Sequence, residues 1–195
     1  MFLDFCTLCD PAQWILAVAT GVLATVLVWL YDQWKWRNDL RLYQDDYVRV
    51  ESKQYGGGPD HDLELQSVMR LVRIRYTGHR LLSIQAKYWP DMPLAIGRVE
   101  FPLSKFVGNG NYWYTDRTSF GRWKMELYPD SFPDEIRMYY DGTKPEVRGY
   151  EVLKRRSKLT QADLPSAYQG RYSEWLAKLD AEFSDKLFEK RKPQL

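Results

Sequence analysis

The chain has 195 residues, of which 45% are hydrophobic, 15% aromatic and 28% charged, with a formal net charge of +2. That apolar and aromatic mass suffices for a real core and excludes a disordered chain. Two cysteines exclude a disulfide scaffold, and 10 Pro with 12 Gly exclude collagen-like and low-complexity compositions. The length fits one domain plus an appendage, and no internal repeat is present.

Residues 1–12 form a short leading segment containing Cys6 and Cys9. A zinc site needs four ligands, and both histidines, His61 and His79, lie beyond the next segment. The pair therefore reads as a short disulfide or an incidental spacing.

No charge occurs between Asp10 and Asp32, and Trp14 to Tyr31 is almost wholly apolar. A hydrocarbon core of about 30 Å takes about 20 helical residues, so a transmembrane helix is expected over 13–31. Trp14 at one end, and Trp29, Tyr31, Trp34 and Trp36 at the other, suit the headgroup zone. A cleavable signal peptide would need a basic leader, whereas Asp4 and Asp10 precede this stretch without any Lys or Arg. Lys35, Arg37 and Arg41 follow it, so the positive-inside rule expects the N-terminus outside and the C-terminal part in the cytoplasm. Ala17, Gly21 and Thr25 recur at four-residue spacing, which places small side chains on one face and suits helix self-association. Residues 32–45 hold good helix formers without Gly or Pro, so the helix is expected to continue as a juxtamembrane segment.

From about residue 46 the pattern changes to period two. In Gly121–Tyr128, Trp123, Met125 and Leu127 alternate with Arg122, Lys124 and Glu126. Ile136, Met138 and Tyr140 repeat the pattern, and Val68, Val72, Ile74 and Tyr76 share a face of a longer strand. Further strands are expected near 47–53, 80–89, 94–101, 112–115 and 147–154. Turns are expected at Gly56–Asp60, Thr77–Gly78, Trp89–Pro93, Gly108–Asn111 and Asp141–Gly142. Eight short strands with regular turns predict a mainly β fold over 46–158, an antiparallel eight-stranded barrel or a sandwich. Residues 159–195 are expected to form a C-terminal amphipathic helix, with Tyr168, Tyr172, Trp175, Leu176, Leu179, Phe183 and Leu187 on one face, and a basic tail.

No nucleophile motif is present, and neither Gly56–Gly58 nor Gly108–Gly110 has a phosphate-loop context. The expectation is a protein that is not an enzyme and needs no cofactor or metal. Small barrels use their interior or one mouth as ligand sites. The strands are dense in aromatics, which stack on planar rings, and in Arg, whose fork suits phosphate. The candidates are Arg73, Arg75, Trp89, Arg98, Tyr112, Trp113, Tyr114, Arg137, Tyr139 and Arg148. The plainer alternative is that Trp and Tyr fill the core while Arg solvates the outside. Arg73 and Arg75 share a face with Met69 and Leu71, and an inward charge there would need a partner. The mild, mixed charge does not argue for a nucleic-acid polymer.

An N-terminal anchor at Trp14–Tyr31 followed by a strand-rich region at Tyr47–Lys154 resembles the barrel-bearing membrane effectors of bacterial CBASS anti-phage systems. In that family the barrel senses a cyclic oligonucleotide, and assembly of the membrane helices damages the inner membrane. The resemblance implies a homo-oligomer in the bilayer with a cyclic nucleotide or other small-molecule ligand. The family typically has two membrane helices, and this chain shows one. Membrane effectors of other defence systems, such as retrons, fit the same architecture. A tethered scaffold that binds another membrane protein is the alternative function.

Overall fold

The computed structural model describes residues 11–55, 69–89, 94–104, 106–127, 134–144, 146–164, 166–171, 173–174 and 177. Cys6, Cys9 and His61 lie outside them.

The apolar stretch forms one helix, α1 (Pro11–Arg41), which continues through the juxtamembrane segment as its composition predicts. At 1.5 Å per residue it is about 46 Å long, enough to cross a hydrocarbon core with several turns to spare. It is the single described helix long and apolar enough to cross a membrane, and the apolar stretch is not buried within the fold. A soluble core helix would be covered; here Trp14, Leu16, Leu23 and Val28 are all more than half exposed. The hydroxyls of Thr20 and Thr25 donate to the carbonyls of Leu16 and Gly21 at 2.7 and 2.8 Å, so neither is left unsatisfied in an apolar surround.

Eight strands follow: β1 (Asp46–Tyr55), β2 (Met69–Gly78), β3 (Leu81–Trp89), β4 (Ala95–Ser104), β5 (Val107–Tyr114), β6 (Phe120–Leu127), β7 (Glu135–Lys144) and β8 (Glu146–Arg155). Each pairs antiparallel with the next, and β8 pairs back onto β1, closing a barrel. The alternative of a sandwich is thereby excluded, and none of the eight described strands is left as an open sheet edge. Alternation along β6 decides the faces: Trp123, Met125 and Leu127 are buried inside, and Arg122 and Lys124 are exposed outside.

Two expected turns prove to be strand. Gly108–Asn111 lies inside β5, and Asp141–Gly142 inside β7. Both turn readings rest on glycine, but here glycine answers to a crowded interior. A Cβ at Gly108 would come within 2.5 Å of Val99, and one at Gly142's neighbour across the sheet, Gly121, would meet the backbone of β7 and the Tyr112 ring.

The barrel has two unlike ends. The end nearest α1 is apolar: Tyr47, Ile74, Leu82, Phe101, Leu127, Ile136 and Leu153 pack there with Leu40 and Tyr43 from the helix end and the connection after it. Leu40 is fully buried, so the helix terminus is part of the barrel core. The helix also touches the β2–β3 turn, where Arg80 pairs with Asp32 at 2.8 Å and lies 4.8 Å from the Trp36 ring.

After β8 the chain makes two short 3-10 turns, Arg156–Lys158 and Gln161–Asp163, and a one-turn helix, α2 (Ser166–Gln169). Lys154 on the outer wall holds Asp163 at 2.6 Å. The long amphipathic helix expected through Leu187 falls largely outside the described residues, and the described part supports only α2.

Candidate functional site

The half of the barrel away from α1 is polar and aromatic inside. Arg49 on β1, Arg70 on β2 and Glu151 on β8 all point inward and are at least 94% buried. Arg70 Nη1 donates to Glu151 Oε2, and Arg49 Nη1 lies 3.6 Å from Glu151 Oε1. Glu151 thus faces both guanidiniums in a low-dielectric interior, where charge-assisted contacts are strong.

Aromatic rings complete this chamber. Tyr112 on β5 stacks on Trp123 on β6, with centroids 4.9 Å apart and planes 19° from parallel. Arg70 reaches within 5.9 Å of the Trp123 ring. Tyr114, nearer the rim, meets Tyr112 edge-on at 6.1 Å. Tyr140 on β7 donates to Gln54 Oε1 at 3.1 Å. Small inward residues make room for these rings. A Cβ at Gly97 would overlap Trp123, and one at Gly149 would overlap Tyr140. Burial pushes the Tyr112 hydroxyl up to about 12 and raises that of Tyr140, so both rings stay neutral donors at physiological pH.

The outer wall carries a second constellation. Register aligns Arg98, Asn111, Arg122, Asp141 and Arg148 in one row across β4 to β8, and Asn109, Lys124, Tyr139 and Tyr150 in the next. A shallow groove of about 570 Å³ runs over β5, β6 and β7, lined by Asn109, Asn111, Arg122, Lys124, Tyr139 and Asp141 among others.

The ten candidates from the sequence divide accordingly. Tyr112 and Tyr114 belong to the interior chamber. Arg98, Tyr139 and Arg148 border the outer groove, and Arg148 pairs with Asp141 at 3.3 Å. Arg137, also outward, stacks on Tyr150 with its guanidinium carbon 5.4 Å from the ring. Trp113 is an exposed neighbour of that wall. Arg73 and Arg75 face outward, not inward as the sequence suggested, because Val72 and Ile74 take the core face, and both lie on Asp46 at 2.8 and 3.5 Å. Trp89 ends β3, and its side chain is outside what is described. Ala17, Gly21 and Thr25 lie along the exposed helix.

Sequence reasoning missed the chamber's charges. Arg70 sits two residues before Val72 on the inward face, and Glu151 sits between Gly149 and Leu153 at spacing two. A charge in phase with apolar neighbours was the available signal. Among the described residues no three His, Cys, Asp or Glu side chains come together as a metal site. A scan against protein-family models finds no match for this chain, and a search of curated proteins finds none either.

Proposed function

We propose that this chain is a single-pass membrane sensor whose barrel binds a small anionic ligand with a planar ring, of the nucleotide class. The observation that carries the reading is the chamber: two buried guanidiniums sharing one carboxylate beside the Tyr112–Trp123 stack. A phosphate would share Arg49 and Arg70, and a base would lie against the aromatic pair. A cyclic nucleotide is the leading candidate within this class.

In this reading α1 crosses a bacterial inner membrane, with Lys35, Arg37 and Arg41 holding the barrel on the cytoplasmic side. The ligand favours an assembled state by binding it better than the monomer. Ala17, Gly21 and Thr25 bring helices together, and the assembly disrupts the membrane as a defence against phage. Leu40 and Tyr43 supply the link, because the same residues end the helix segment and fill the barrel floor.

The test is thermal unfolding of the full chain in detergent against linear and cyclic nucleotides. A ligand at 100 times its Kd adds about 2.7 kcal/mol and raises the midpoint. The account expects one nucleotide to do so in the wild type and to lose most of the shift in Arg70→Met. No shift from any nucleotide with a folded barrel moves the function to a tethered scaffold that binds another membrane protein.

A further inference from the structure

The outer wall of β4, β5 and β6 repeats along the strands in a way that matches an extended peptide. Ile96, Trp113 and Phe120 are register neighbours, and so are Arg98, Asn111 and Arg122 one step along. The steps are two residues apart on each strand, about 6.8 Å, which is the spacing between the alternate side chains that share one side of an extended chain. The first step is apolar and open: Trp113 is 41% exposed and Phe120 50%. In the second step two exposed guanidiniums flank a carboxamide, about 10 Å apart across three strands. The nearby charges Lys124 and Arg148 are held by Glu126 and Asp141 at 2.6 and 3.3 Å. Arg98 and Arg122 form no ion pair with any described residue.

We infer that this wall docks an extended segment of a partner protein in which an acidic residue stands two positions from an apolar one. The acid falls between Arg98 and Arg122, the apolar side chain lies on Trp113 and Phe120, and Asn111 reads the peptide backbone with its carboxamide. The groove over β5 to β7 receives the rest of the segment. Charge selects protein over a nucleic-acid strand. Glu100 ends the next row on β4 and Asp141 follows Arg122 in the same row, so a polyanion charged at every unit would be repelled, whereas a single acid over Asn111 stands two strands from Asp141 and one row from Glu100. The exposed apolar step lies at the end of the barrel away from α1, which separates it from the bilayer.

The test uses the full chain in detergent and a short fluorescein-labelled peptide with glutamate two residues before phenylalanine, read by fluorescence anisotropy. The expected result is saturable binding that weakens at least tenfold in Arg122→Glu and in Trp113→Ser, with an unchanged thermal midpoint. Lys158→Glu, exposed and off this wall, should leave it unchanged. A peptide with lysine for glutamate should bind the Arg98→Glu/Arg122→Glu double variant better than the wild type. Absence of saturable binding, equal binding of the lysine peptide to the wild type, or tighter binding of an oligothymidine strand would overturn the assignment.

Discussion

Arg80 donates from Nη2 to Asp32 Oδ2 at 2.8 Å, joining the β2–β3 turn to the helix where its apolar stretch ends. The same guanidinium donates to the Pro102 carbonyl at 2.6 Å and covers Trp36. The backbone of Arg80 is left-handed, with φ at 57°, a conformation that costs a non-glycine residue about 1 kcal/mol or more. Three contacts of one side chain thus hold an unfavourable turn in place. Both partners are about a third exposed or somewhat less, so the ion pair itself contributes under about 1 kcal/mol.

Arg80→Ala should therefore lower stability by about 1–2 kcal/mol, combining the lost pair, the lost carbonyl bond and the lost ring contact. Arg80→Gly should recover part of that, because glycine accepts the positive φ. Urea unfolding of both variants in detergent measures the difference. Equal midpoints for the two would show that the turn is unstrained, and a wild-type midpoint for Arg80→Ala would show that the joint carries no load.

Glu151 is the single described carboxylate inside the chamber, and it is 1% exposed. Glu151→Leu removes the buried carboxylate that Arg49 and Arg70 both face. Breaking a buried pair from one side typically costs about 3–5 kcal/mol. Replacing all three residues with apolar ones of similar volume should cost far less, since no charge is then stranded. Chemical denaturation of the single and triple variants separates the two cases. A single variant as stable as the wild type would mean that the chamber is wet and open, not buried.

Alkaline pH should destabilise the barrel through its inward tyrosines. Burial raises the hydroxyls of Tyr47 and Tyr112 to about 12, from an ordinary value of 10.0. Above pH 10 the unfolded chain releases these protons while the folded barrel keeps them. The unfolded state then binds fewer protons, so stability falls as pH rises. The contribution is full below pH 10 and is lost progressively towards pH 12. Ultraviolet titration of tyrosinate should show a late, cooperative step that coincides with loss of β-sheet circular dichroism. A step at pH 10 with the sheet intact would contradict the buried placement.

Much of the architecture is legible in the sequence because two signals are strong. A long uncharged stretch admits little besides a membrane-length helix, and the alternation in Gly121–Leu127 fixes which side of β6 faces inward. Closure is not legible, because pairing of β8 with β1 joins residues about a hundred positions apart, such as Lys53 and Tyr150. Glycine misleads at Gly108 and Gly142, since composition cannot tell a turn glycine from one inside a strand. Arg70 escapes notice beside Arg73 and Arg75. That strand has apolar residues on both faces: Val72 and Ile74 line the core, while Leu71 is buried on the outer side. Arg70 is in phase with Val72 and Ile74, but that phase is masked by the buried Leu71 on the other face, and the pairing with Glu151 makes it plain.

The coupling of ligand to assembly is the centre of this account, and one measurement addresses it directly. The full chain in detergent micelles should be treated with an amine-reactive cross-linker before and after addition of the nucleotide that raises its thermal midpoint. The account predicts that cross-linked dimers and larger species increase several-fold with ligand, and that Arg70→Met abolishes the increase. A ligand that stabilises the barrel while the helices remain monomeric, with or without it, would contradict the mechanism.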